Sequence, residues 1–192
     1  MRGAREDRGV ATTIRPASAE DAAAIAELHG RSFLATYPDL LRTRETTLRG
    51  SDARLALWAS RLQDLRMGRE VFVAHDSRGL CGFVYTGPSG DDDDSETRTG
   101  QVYSIHVDPE SQGAGVGSEL LNAALALQLA SGMEDVTLWV VDTNLRARRF
   151  YEARGFRLDE ARRKEVLALG TTEGDQVDVV RYRCRLSVGG NL

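Results

Sequence analysis

Lysine is almost missing from this chain: it occurs once, at Lys164, and arginine supplies the other 24 of the 25 basic residues. GC-rich coding produces such a skew, and it says nothing about function. Cysteine is scarce as well. Cys81 and Cys184 lie in separate strand-like runs with no CxxC spacing, and they read as buried reduced thiols rather than a disulfide. The three histidines, His29, His75 and His106, share no ligand spacing with one another or with the cysteines, which argues against a metal site. Long apolar runs are absent. Stretches such as Ala123 to Leu127 are far too short to span a bilayer, and the opening MRGAREDRGVATT lacks the apolar centre of a signal peptide. A net charge of −4 gives no global attraction to nucleic acid or anionic membrane. These absences lead us to expect a soluble cytoplasmic protein that binds neither.

What is present suits one domain. The chain has 192 residues, 41% of them hydrophobic, enough to bury a core. Residues 1–11 read as a loose polar tail, 12–187 as a single domain and 188–192 as a second tail. Thr12 to Arg15 reads as a strand ended by Pro16, after which Ser18 and Asp21 stand in capping-box positions. Ala22, Ile25, Leu28 and Phe33 then recur at helical spacing. A second helix is expected after Ser51, with Leu55, Trp58, Leu62 and Leu65 on one face. EVFVAH and LCGFVYT form a hairpin about a DSRG turn. Residues 87–100, GPSGDDDDSETRTG, read as an acidic, solvated loop. Then follow a strand at Gln101–Val107, a buried helix at Ser118–Ala130, a strand at Val136–Val141, a helix from Asn144 to Arg154, and two strands, near Phe156 and at Val177–Leu186. The order β-α-α-β-β-β-α-β-α-β-β predicts a mixed sheet of about seven strands flanked by about four helices.

The chemistry begins at QGAGVG, residues 112–117, between a strand and a helix, where free N–H groups attract anions. A P-loop requires Lys and Ser/Thr after its last glycine, but Ser118 and Glu119 follow Gly117. A dinucleotide fingerprint requires G-x-G-x-x-G, whereas the spacing here is G-x-G-x-G. Another phosphate ligand or a bare turn remain.

Three segments extend the pattern. IHVDPESQGAGVGSELL (105–121) resembles the cofactor-binding motif of the GNAT superfamily of N-acetyltransferases, through Gln112, Gly115 and Gly117. WVVDTNLRARRFYEARGF (139–156) is similar to the family's next segment, and TIRPASAEDAAAIAELH (13–29) to its opening. The resemblance covers residues 12–186. It implies a mostly antiparallel sheet with a splayed fourth strand, and acetyl-CoA as acetyl donor to a primary amine, without a metal. It further implies a pyrophosphate nest at Gln112, Gly113, Ala114, Gly115, Val116, Gly117 and Ser118. Backbone groups at Ile105, His106 and Val107 would face the pantetheine arm, with Asn144 nearby. Tyr151 matches the tyrosine that protonates the leaving thiolate. Homodimers are common in the family, though no interface is marked here.

One position departs from the family pattern. Several branches carry glutamate where this chain has Gln101, which cannot accept a proton but can hold a water. Strict alternation puts Gln101, Tyr103, Ile105 and Val107 on one face and turns His106 away, so no base is assigned. Phe33, Tyr37, Trp58 and Tyr103 are candidates for the lining of a small-molecule or peptide amine site. Arg146, Arg148, Arg149 and Arg154 cluster late in the chain, within reach of a CoA phosphate. Asp91 to Asp94 read as a solvated charge run, or as a funnel for a cationic amine. An acyl-CoA-binding sensor without catalysis is the alternative reading.

Overall fold

A computed structural model describes residues 12–38, 44–63, 65, 68–94, 98–167 and 175–187; the expected tails at 1–11 and 188–192 lie outside them. Strand β1 (Thr13–Pro16) leads to helices α1 (Ala22–Thr36) and α2 (Arg44–Gln63), then β2 (Glu70–Asp76), β3 (Gly79–Pro88) and β4 (Thr99–Val107). Helix α3 (Val116–Ala130), β5 (Asp135–Val141), α4 (Leu145–Glu152), β6 (Arg157–Leu167) and β7 (Asp175–Arg185) complete the order. The seven strands form one sheet, β1-β2-β3-β4-β5-β7-β6, in which β4 and β5 are parallel and every other pair is antiparallel. Among the described residues, no helix is long and apolar enough to cross a membrane.

Two apolar layers cover the two faces of the sheet. On one, Ile25 and Leu28 of α1 and Trp58 and Leu62 of α2 pack on Val71, Val73 and Phe83. On the other, Leu120, Leu121 and Leu125 of α3 and Tyr151 of α4 pack on Val84, Val102, Val136 and Leu138. Leu120 and Leu121 are fully buried, each worth about 2 kcal/mol. This close approach depends on Gly82, where a Cβ would lie 2.8 Å from Leu120. The entropic cost of a strand glycine, about 1 kcal/mol, is smaller than the burial it permits. Gly100 acts similarly for Gln128, whose buried amide donates to Thr86 Oγ1 at 2.8 Å and to the Gly87 carbonyl at 2.9 Å.

The sheet and its order match the reading from sequence; three local expectations need correction. Helix α2 begins at Arg44, before Ser51, because the polar stretch RETTLRG offers no apolar period to read. Leu55 is 43% exposed while Arg54 is buried, since Gly30 of α1 leaves room beneath the Arg54 guanidinium. The acidic segment is not a solvated loop. Gly87 and Pro88 belong to β3, and Thr99 and Gly100 to β4. Asp91 pairs with Arg163 at 2.8 Å, Asp93 with Arg181 at 2.5 Å and Asp94 with Arg183 at 2.8 Å. Asp91 also accepts from Trp139 Nε1 at 2.9 Å. Three of the four carboxylates are thus ion-paired, and the run ties the β3–β4 connection to β5, β6 and β7. Cys81 is buried, Cys184 half-buried, and both are free thiols.

Candidate active site

Parallel strands β4 and β5 pair only from Thr99 to Val102 against Asp135 to Leu138. Beyond that they part, leaving the β4 edge unpaired and opening a cleft of about 770 Å³ between the helical layers. One extra residue in β4 reshapes this cleft. Tyr85 is opposite Ser104 and Thr86 opposite Val102, so Tyr103 has no partner. A bulge of this kind shifts the side-chain phase by one. Val102, Ile105 and Val107 therefore all pack on the α3 side. Tyr103 packs on the opposite side, where His106 stacks on Phe83 with centroids 5.1 Å apart. The expected common face of Tyr103, Ile105 and Val107 is thus corrected, and His106 lies with Tyr103 rather than turned away from it. The Ser104 hydroxyl, within the bulge and lining the cleft, is buried without a hydrogen-bond partner.

The donor side of the cleft is built on backbone. Gly113 and Gly115 have φ of +87° and +90°, where only glycine sits without penalty. A Cβ on either would meet no atom within 4 Å, so the space over the loop is open to a ligand. Among the described residues the N–H groups of residues 113–117 find no turn or cap acceptor, and Val116 and Gly117 open α3 at its positive end. Gly117 differs: its backbone is not left-handed, and a Cβ there would make ordinary contact with Phe150 and Val107 at 3.5 Å. Two arginines of the late cluster flank the loop. Arg146 donates to Gln112 Oε1 at 2.6 Å, and Arg154 donates to Ser118 Oγ while lying 3.8 Å above the Phe150 ring. Arg148 turns elsewhere, to Asp142 and Tyr182. Open N–H groups, room above the glycines, flanking cations and the orphaned Ser104 hydroxyl together fit a phosphate-bearing ligand with an amide-rich arm, as coenzyme A has.

At the centre, Asn144 caps α4, its Oδ1 accepting from Ala147 N–H at 3.1 Å, while its Nδ2 donates to Tyr37 Oη at 3.2 Å. One side chain thereby links the α4 and α1 walls. Tyr151 lines the cleft but is only 7% exposed. Burial, and then Tyr37, push its phenol above the ordinary value, so it holds its proton throughout the neutral range.

The other side of the cleft is built from side chains. His106 Nδ1 lies 2.9 Å from Ser32 Oγ, and its ring is 4.5 Å from that of His29. His29 Nδ1 accepts from Trp58 Nε1 at 3.2 Å. Burial lowers His106 to about 4, and burial, reinforced by His106, Arg54 and Arg61, lowers His29 to about 2. Both rings are therefore neutral at pH 7. Phe33, Tyr37 and Tyr103 line the cleft as expected from sequence. Trp58 does not. It is fully buried beneath His29 and Phe83, so its assignment to the acceptor lining is corrected to a core role. Gln101 is buried and is not among the residues lining the cleft, its Oε1 accepting from Gly90 N–H at 3.4 Å. His29, Ser32, Arg61 and Tyr85 were missed. For Arg61 a signal existed, because Arg54, Trp58 and Arg61 recur at i, i+4 and i+7 on one stripe of α2.

The family model of the acetyltransferase (GNAT) family matches residues 23–156, and the chain belongs to that family. It is 36% identical over 85 residues to a mycothiol acetyltransferase of Thermobispora bispora, covering 44% of this chain and 29% of that protein. The chain spans less than a third of the length of several such relatives. An uncharacterized N-acetyltransferase of Bacillus subtilis is 29% identical over 133 residues, 69% of this chain and 73% of that one. The fold resembles the PaiA N-acetyltransferase of Thermoplasma acidophilum, solved in complex with coenzyme A. That match has a TM-score of 0.70 at 16% identity, covering 92% of this chain and 99% of the other.

Proposed function

We propose that the protein is an acetyl-CoA-dependent N-acetyltransferase acting on a primary amine in a ternary complex. Bound acetyl-CoA supplies the acetyl group as an activated thioester. The observation that carries the reading is the parting of β4 and β5, which brings the glycine loop, an unpaired strand edge and Tyr151 into one cleft. The N–H groups of residues 113–117, with Arg146 and Arg154, hold the phosphates. The open edge of β4 at Ile105, His106 and Val107 orients the arm, and a strand N–H there polarises the thioester carbonyl. Tyr151, kept protonated by burial, donates its proton to the leaving sulfur.

The amine must arrive or become neutral. An alkylammonium of pKa about 10.4 is only about 0.04% neutral at pH 7. Among the described residues no carboxylate takes the place of Gln101, and His106 is a weak base, so water in the cleft beside His106 and Ser32 carries the proton away. The same shortage of bases favours a second reading, a CoA-ester sensor that binds and does not turn over. Two free cysteines suit a reducing compartment such as the cytoplasm. Calorimetry with acetyl-CoA, CoA, ATP and NAD, followed by thiol release against an amine panel, tests the proposal. Acetyl-CoA binding with amine-dependent thiol release is expected. Binding without release leaves the sensor, and ATP or NAD binding alone overturns both.

A further inference from the structure

The acceptor end of the cleft contains a cation that none of the described residues neutralises. Arg61 of α2 lines the cleft, and its guanidinium lies 5.0 Å from the Trp58 ring centroid and 5.1 Å from that of Tyr85. Among the described residues it forms no hydrogen bond or ion pair. Among the described residues its neighbours are apolar bulk, Tyr85 and a second cation, Arg69, with no carboxylate. Arg69 in turn lies 5.6 Å over the Tyr103 ring, which packs 4.7 Å from Tyr85. Among the described residues the one acidic group lining the cleft, Glu165, is already bound by Arg163.

A half-buried guanidinium left unpaired is costly unless a ligand completes it. By contrast, Arg163, Arg181 and Arg183 at the other end of the sheet all have aspartate partners. Resting on two aromatic faces, Arg61 is fixed in orientation and offers its N–H edge, the geometry that suits a planar oxyanion. His29 lies nearby as a neutral ring whose Nδ1 is occupied by Trp58, so its proton resides on Nε2. This end of the cleft holds donors and positive charge, the wrong lining for a polyamine.

We propose that the acceptor amine carries a carboxylate and that Arg61 binds it, making the substrate class free amino acids or short peptides rather than polyamines or protein lysines. This rests on the N-acetyltransferase reading above. The carboxylate docks against the free N–H edge of Arg61, leaving the amine to reach toward the bulge of β4, where His106 and Tyr151 border the same cleft.

The test is thiol release from acetyl-CoA with matched acceptors: amino acids, dipeptides, their carboxamides and the decarboxylated amines. The acids should exceed their amides and decarboxylated partners by about a hundredfold in kcat/KM. Arg61→Gln should remove most of that preference through KM, Arg61→Lys should keep part of it, and acetyl-CoA affinity by calorimetry should stay unchanged in both. Free amino acids and dipeptides are separated by which of the two shows the larger preference. Equal rates for amides and acids in the unaltered protein, or an intact preference in a folded Arg61→Gln, would overturn the inference and leave the acetyltransferase standing. No turnover with any amine overturns both.

Discussion

The two walls of the cleft are made in different ways. The α3–α4 wall is built from backbone: left-handed glycines, a helix start and N–H groups whose positions depend on little else. The α1–α2 wall is built from side chains, Arg61, His29, His106 and Tyr103, set by helix packing and by one bulge. A backbone site is defined by a short local sequence, so it recurs wherever that sequence recurs. A side-chain site is assembled from residues dozens of positions apart, and it varies without disturbing the fold. The first wall would recognise what all acetyl-CoA enzymes share, and the second what distinguishes this one.

The largest effect should come from the residue between the walls. Tyr151→Phe removes a proton donor but keeps the ring that packs beside Phe150 and Phe156. Turnover should fall about a thousandfold, within the range for general acid catalysis. Acetyl-CoA affinity and the amine KM should both hold. A loss of affinity on either wall would mean that Tyr151 builds one of them rather than serving both.

A contrast outside the cleft comes next. Arg181→Met leaves Asp91, Asp93 and Asp94 without their shared cation, and Arg181 and Asp94 are both buried. Stability in urea should drop by about 3 kcal/mol. At low salt, replacing Asp91 to Asp94 by serine should likewise lower stability while the amine KM stays constant. A rise in KM ahead of any unfolding would restore the acidic run as an electrostatic guide and blur the line between the walls.

Gly115→Ala isolates the backbone wall. It forces a side chain into φ +90° and places a Cβ where only ligand space is found. Acetyl-CoA should bind about 30-fold more weakly, from roughly 2 kcal/mol of combined strain and obstruction. The preference of the other wall for its amine should survive. Gly117→Ala, without positive φ and with a contact of 3.5 Å, should be much milder.

These contrasts explain what the sequence made legible. Helix and strand order followed from apolar period and turn residues, and the glycine loop from its spacing, because both depend on neighbours in the chain. Asn144 was readable as a cap for the same reason, although its bond to Tyr37, 107 positions away, was not. The bulge at Tyr103 carries no local mark, yet it reverses the faces of Ile105, His106 and Val107. Arg181 lies 87 to 90 positions from Asp91, Asp93 and Asp94, so a run of four acids looked like solvent-facing charge. Gln101 matched a family position by alignment, but its side chain goes to Gly90. Burial of charge and the phase of a strand are tertiary facts, and the α1–α2 wall is made from both.

The smallest effect probes that wall through pH. His106 and His29 are held neutral by burial, with folded values of about 4 and about 2 against an ordinary 6.5. As pH falls below about 6.5 the unfolded chain takes up a proton at each histidine while the folded one does not, so stability declines. Each histidine adds about 1.4 kcal/mol per pH unit, His106 until about pH 4 and His29 further still. Above pH 7 neither contributes a slope. Urea midpoints at pH 7.5, 6.5, 5.5 and 4.5 should be flat across the first pair and fall through the last two. His29→Phe should shallow that fall, because phenylalanine fills the space between Trp58 and Phe83 without a proton to exclude. A fall as steep in His29→Phe as in the unaltered protein would show that the ring is wet and the wall open. Then the carboxylate of an acceptor would meet Arg61 in water rather than between aromatic faces, and the expected hundredfold preference would shrink toward the few-fold value of an exposed ion pair.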